Sequence, residues 1–202
     1  MAGCRSLRDE EILAVIEALG GKHALRNRAL FVLGLNTGFR ISELLSLNLG
    51  DVYQKQINDR VTVKRRNIKG KIAGRTIALN QITKSTLQPY VQSLLDAQEP
   101  LDRPLFFVVY RGKQRMTRKQ AWRILQDAFE IAHLQGNLGT HTMRKTFARV
   151  MYAALNFRIE KLQRLLGHKW LNSTVSYIDD LDNGLDEAVL THQVGQITQI
   201  SL

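Results

Sequence analysis

Apolar and polar positions along this chain follow two rhythms, and the switches between them mark its elements. EEILAVIEALGG spaces its apolar residues as an amphipathic helix closed by Gly20-Gly21, with Ser6 and Asp9, three apart, as the expected capping box. HALRNRALFVLGLNTG is a second helical run ending at Gly38, and FRISELLSLNLGDV a short helix with Leu44, Leu45 and Leu47 turned inward. Between Val52 and Leu79 the period shortens. DRVTVKR and GRTIALN read there as strands flanking the turn-prone NIKGKIAG. ITKSTLQPYVQSLLDA returns to helix, while PLFFVVY fits a buried strand or an apolar connector, followed by RGKQ as a turn. Thr117 is placed to cap RKQAWRILQDAFEIAHL, whose apolar face is expected to carry Trp122, Leu125, Phe129 and Ile131. Helical segments continue to the end, with breaks at Gly136, Gly139 and Gly167. The predicted fold class is mainly α with a small antiparallel β-sheet inserted early (α+β), in one domain.

Composition narrows the function. A chain of 202 residues can bury a real core, and 44% hydrophobic residues with 23% charged is ordinary for a folded domain. No signal peptide and no apolar run near membrane-spanning length is present, so no membrane partner is expected. The one cysteine, Cys4, has no internal partner, which suits a reducing cytoplasm. Charge adds more: 29 Lys+Arg against 18 Asp+Glu give a net +11, the signature of a phosphate-backbone partner. That charge is unevenly placed. Residues 178–202 hold five acids and no Lys or Arg, so their apolar side chains Leu185, Val189, Leu190, Val194, Ile197 and Ile200 suit docking on protein instead, on this domain or another.

Four places combine charge with a break in the helical pattern. In Thr37-Gly38-Phe39-Arg40 an arginine follows a glycine where a helix begins, and Glu43 lies three residues on, within reach to orient it. THTMRKTF sets His141 and Arg144 side by side on one helical face, with Met143 and Phe147 turned to the core. The hairpin turn offers Lys69 and Lys71, either able to deliver a proton to a leaving oxygen. In LGHKWLNSTVSY, Asn172, Ser173 and Thr174 can start a new helix, letting His168 and Tyr177 fold back towards one pocket. Each place alone has an ordinary reading as solvated surface. Together they lack the carboxylate cluster of a Mg²⁺ nuclease, a P-loop and any zinc spacing, so no metal or cofactor is expected. Fixed cations around a hydroxyl fit attack on a phosphodiester, with Tyr177 as the nucleophile.

These segments resemble the tyrosine recombinases, the phage integrase family. TGFRISELLSLNLGDV looks like that family's first arginine box, THTMRKTFARVMYAAL like its His-x-x-Arg box, and LQRLLGHKWLNSTVSYID like its second-histidine and nucleophile box. The resemblance implies Arg40, Arg144 and His168 as binders of the scissile phosphate and Tyr177 as the attacking residue. It makes His141 an assistant in proton transfer and Glu43 the acid supporting Arg40. The family's hairpin lysine aligns near Gly70, so Lys69 is taken as catalytic, with Lys71 the alternative. Lys145 stands where the family often has histidine. Lys64, Arg65, Arg66, Arg111, Lys113, Arg115, Arg118, Lys119 and Lys145 are expected to track DNA phosphates.

The implied activity is metal- and ATP-independent site-specific recombination of double-stranded DNA through a 3′-phosphotyrosyl intermediate. Rival readings are a type IB topoisomerase or telomere resolvase using the same chemistry, and an inactive DNA-binding regulator of the same fold. Residues 1–183 are expected to be the catalytic domain and 184–202 a tail docking on a neighbouring subunit within a DNA-bound tetramer. Accessory DNA-bending proteins are possible partners, and a cytoplasmic, DNA-associated protein of bacterial, phage or mobile-element origin is implied. The catalytic pattern starts near residue 6, so the family's preceding helical clamp is expected to be missing. The chain then corresponds either to a naturally short member, like the fimbrial switch invertases, or to an excised catalytic domain.

Overall fold

The computed structural model describes residues 3–64, 74–109 and 112–178. Helix α1 (Asp9–Ala18) leads into α2 (Ala24–Thr37), then two single-turn helices, α3 (Ile41–Leu44) and α4 (Leu49–Val52). Strands β1 (Arg60–Val63) and β2 (Arg75–Ala78) precede α5 (Gln81–Asp96). Strands β3 (Phe107–Val109) and β4 (Lys113–Arg115) lead to α6 (Arg118–Ile131), α7 (Thr140–Ala154), α8 (Ile159–Leu166) and α9 (Asn172–Val175). The class is therefore the expected one, mostly helical with small antiparallel sheets.

Helix α2 is the central post. Its run from Ala29 to Leu35 is buried on nearly every side, and it packs on α5 and α7. A helix apolar all round belongs in a core, whereas the one-sided pattern of α1 suits a surface position. Gly38 ends α2 in the left-handed conformation (φ +57°), which favours glycine. A Cβ there would also collide with the Phe147 ring. The chain can thus turn sharply beneath α7, and that turn brings Arg40 into the site.

In the early sheet, β1 and β2 pair antiparallel from Arg60↔Ala78 to Val63↔Arg75. Val61, Val63 and Ile77 point into the core while Thr62, Thr76 and Ala78 face out, the alternation of a half-buried sheet. Within PLFFVVY, Phe107–Val109 form β3, which pairs with β4 to give a second two-stranded sheet.

Three local expectations need correction. Helix α1 starts at Asp9 with Arg8 as its N-cap, and it is the Glu11 carboxylate that accepts from the Arg8 backbone N–H (2.8 Å), so Ser6 is not the cap. On α6, Leu125 and Phe129 are buried but Trp122 and Ile131 are exposed (47% and 61%), because the buried stripe runs through Ala121, Leu125, Ala128 and Phe129. FRISELLSLNLGDV makes two short helices, although Leu44, Leu45 and Leu47 are all buried as expected. Thr117 does cap α6, accepting from Gln120 N–H at 3.2 Å.

Candidate active site

Four separate segments deliver the side chains singled out in the sequence to one place. Arg40 immediately precedes α3. There the Glu43 carboxylate accepts from the Arg40 backbone N–H (2.8 Å) and from its guanidinium (2.9 Å), so one acid caps the helix and fixes the arginine. Glu43 is almost fully buried, while the Arg40 side chain remains about a third exposed. His141 and Arg144 lie one turn apart on α7. His168 follows Gly167, whose left-handed conformation (φ +65°) ends α8 and turns the chain back. Tyr177 comes just after α9.

Arg144 is 1% exposed, yet its guanidinium is tied to carbonyls rather than to an acid. It donates to Gly38 O and to Leu166 O (2.7 Å), and also to His168 Nε2 (2.8 Å). Its Nε is buried with no hydrogen-bond partner in the described structure. A buried cation with an unused donor is costly unless an anion completes it.

Because arginine only donates, His168 Nε2 must be the accepting nitrogen. The neutral ring then carries its proton on Nδ1, which donates to Thr174 Oγ1 at 3.0 Å. Burial, reinforced by Arg144, Arg40 and Arg75, holds the His168 pKa down to about 3. His141 is lowered too, by burial first and then by Arg144 and Arg40.

The His168 and Tyr177 rings lie 5.1 Å apart between centroids, so the two do converge. The Tyr177 hydroxyl hydrogen-bonds His141 Nδ1 at 3.2 Å, and the Arg144 guanidinium carbon sits 5.7 Å from the Tyr177 ring centre. In the tautomer whose Nδ1 carries no proton, His141 can accept the phenol's hydrogen bond. The arrangement is therefore a hydroxyl with an adjacent base, beside three cationic or proton-bearing groups and an unfilled donor. Such a set can bind a phosphodiester and attack it.

Two members of the set were not read from sequence. Arg75, at the start of β2, donates to Glu43 Oε2 (3.0 Å) and to the Leu165, Leu166 and Gly38 carbonyls. Strand alternation held the signal, since Ile77 points inward and residue 75 shares its face. By sequence Thr174 suits a helix cap, but it is fully buried and accepts from His168 Nδ1–H instead.

The expected DNA contacts divide. Arg118 and Lys119 are exposed on the first turn of α6. Lys113 pairs with Glu99, Lys64 lies 3.5 Å from Asp51, and Arg115 donates to the Leu45 and Leu47 carbonyls and to Asn48 Oδ1. Lys145 is half-buried on α7, beside Gly3. Lys69, Lys71, Arg65, Arg66, Arg111 and the tail 184–202 lie outside the described residues. Among the described residues no group of three or more His, Cys, Asp or Glu could hold a metal ion, and no helix is long and apolar enough to cross a membrane.

Residues 5–183 match the family model of the Phage integrase family, and the chain belongs to that family. It is 32% identical over 185 residues to the tyrosine recombinase XerD of Mycobacterium leprae, covering 86% of this chain and 56% of that protein. It is also 32% identical to the probable integrase/recombinase YoeC of Bacillus subtilis, covering 88% of this chain and 87% of the relative. The chain spans about half the length of several curated relatives, including the tyrosine recombinase XerC of Caldanaerobacter subterraneus (50%). The crystal structure of XerA recombinase superposes with a TM-score of 0.73 at 25% identity, over 94% of this chain and 65% of that one. A lambda integrase dimer bound to a COC′ core site shares the fold, with a TM-score of 0.65 at 17% identity over 96% of this chain and 51% of that one.

Proposed function

We propose that this chain is the catalytic domain of a site-specific DNA recombinase that breaks and rejoins double-stranded DNA through Tyr177. The observation that carries the reading is the buried Arg144, its Nε unpaired, within one site with Arg40, His168 and a tyrosine hydroxyl already bonded to a histidine.

In this reading Arg40 and Arg144 grip the nonbridging oxygens of the scissile phosphate, with Glu43 orienting Arg40. Tyr177 Oη gives its proton to His141 Nδ1 and bonds to phosphorus. The bond from phosphorus to the 5′-oxygen breaks, and that oxygen takes a proton from Lys69, or from Lys71 in its place. The bound phosphate offsets the cations that hold His168 neutral, so the ring takes a proton from solvent at Nε2 in place of the Arg144 hydrogen bond, and Nε2–H then donates a hydrogen bond to a phosphoryl oxygen. A 5′-hydroxyl of the partner strand attacks the 3′-phosphotyrosyl ester and releases Tyr177. The ester keeps the energy of the broken linkage, so resealing needs no ATP.

Double-stranded DNA is the partner of this reading. Residues 1–183 form the working domain, and the base-free tail 184–202 docks on a neighbouring subunit in a DNA-bound tetramer. Accessory DNA-bending proteins belong to the same reading, as does a place on DNA in the cytoplasm. The test is a plasmid carrying two copies of the protein's own site, incubated in EDTA. Recombinant product from two sites, with no relaxation of a supercoiled plasmid lacking them, supports recombination. Relaxation of any supercoiled plasmid would make the protein a topoisomerase instead.

A further inference from the structure

The best-connected cation of the site is one that the reaction does not use. The Arg75 side chain is only 10% exposed, and its guanidinium joins parts of the site that are far apart in sequence. One nitrogen donates to the carbonyls of Leu165 (3.2 Å) and Leu166 at the end of α8. The other donates to Gly38 O (3.3 Å) and to Glu43 Oε2 (3.0 Å), and the group lies over the Phe39 ring, 4.7 Å from its centre.

We infer that Arg75 is a positioning residue of the active site, tying the Arg40–Glu43 pair to the end of the helix that delivers His168. Three observations carry this. Arg75 and Arg144 share two acceptors, Gly38 O and Leu166 O, so displacing either guanidinium frees carbonyls that hold the other. Glu43 accepts from the Arg40 guanidinium at Oε1 and from both Arg75 and the Arg40 backbone N–H at Oε2, and the acid is thereby pinned from both sides. Gly167 leaves the necessary room, since a Cβ there would stand 3.3 Å from Arg75 Cδ.

The arrangement is electrostatically expensive, which argues against an incidental contact. Burial, and then Arg144, draw the Arg75 pKa down to about 9, still cationic at neutral pH. A second buried guanidinium beside Arg144 is unfavourable unless its hydrogen bonds fix something. What they fix is the spacing between the first arginine and the second histidine. Arg75 is also the first paired residue of β2, opposite Val63. The start of that strand is thus anchored to the same point.

The inference rests on the cleavage reading for its kinetic test but not for its titration test. Arg75→Gln, Arg75→Ala and Arg75→Lys are compared with wild type on a nicked suicide DNA substrate, and the His168 ring is titrated by NMR in DNA-free protein. At saturating DNA, adduct formation by Arg75→Ala is expected to fall on the order of 10–100-fold, the scale of a misplaced reacting group. Added guanidinium should restore part of the Arg75→Ala rate, and Arg75→Lys should fall between alanine and wild type. In the titration, Arg75→Gln should raise the His168 pKa, because one of its depressing cations is gone. An Arg75→Ala rate within about threefold of wild type with His168 unmoved would overturn the inference. So would a rate loss that neither guanidinium nor lysine relieves, again with His168 unmoved, since that marks a purely structural role. A wild type that forms no adduct rejects the cleavage reading and leaves the titration to decide the place of Arg75.

Discussion

His168 shows how much chemistry hangs on one proton. Arg144 occupies Nε2 and Thr174 takes the Nδ1 proton, so the ring of the DNA-free protein is neutral and already oriented. Nitrogen-15 NMR should report the Nδ1–H tautomer at neutral pH, and charging only near pH 3. The unfolded chain protonates this histidine near pH 6.5, before the folded one does. Stability contributed by His168 is therefore complete above about pH 6.5 and is lost as the pH falls towards 3. The partly solvated ring reduces the effect to about 1–2 kcal/mol. Urea unfolding of wild type and His168→Asn at pH 7 and pH 4.5 should show the mutant losing less stability on acidification; equal losses would contradict the assignment. Glu43→Ala leaves two guanidiniums facing each other without their acid, and should cost about 3–5 kcal/mol in the same assay. Arg40, Glu43, His141, Arg144, His168 and Tyr177 were legible as residues because each stands at a break or on a helical face with a charged neighbour. Thr174 was not legible, because a threonine before a helix reads equally well as a cap.

Elements were legible where one period dominated, as in α5 and the β1–β2 pair. They were not where tertiary packing decided, as for PLFFVVY, whose strand character depends on pairing with β4. Trp122 and Ile131 show the same limit: apolar type alone does not say which side of a helix meets the core. Arg75 was missed for the converse reason, since a lone arginine in a strand reads as solvent-facing until the inward phase of its neighbour Ile77 is followed. The α2–α3 turn is the element on which the site depends most. Gly38→Ala imposes a left-handed alanine and drives its Cβ into Phe147. A loss of about 2–3 kcal/mol is expected, from the strain and the displaced ring together. Because Gly38 O receives both Arg75 and Arg144, adduct formation should fall more than stability predicts. A rate that simply tracks the folded fraction would contradict that coupling.

For the whole molecule, the excess of basic residues and its asymmetry bear on the proposed encounter with DNA. Arg118 and Lys119 expose their charges on α6, so the double alanine variant should weaken binding to all sequences alike. The slope of log affinity against log salt should become shallower by about 2. An unchanged slope would place those residues off the DNA. Removing residues 184–202 should leave single-subunit DNA binding intact and abolish cooperative assembly, as read by gel shift and sedimentation; full cooperative assembly of the truncated protein would reject the docking role of the tail. The central claim, that Tyr177 is the nucleophile of a strand-breaking reaction, is tested most directly by covalent capture. A nicked suicide substrate carrying the protein's own site is incubated in EDTA with wild type and with Tyr177→Phe, and the products are resolved in SDS. The account predicts an SDS-resistant adduct with wild type alone, the DNA 3′-phosphate mapping to Tyr177 by mass spectrometry. Intact DNA in both lanes, with both proteins bound to it, would contradict the account and leave a DNA-binding regulator in its place.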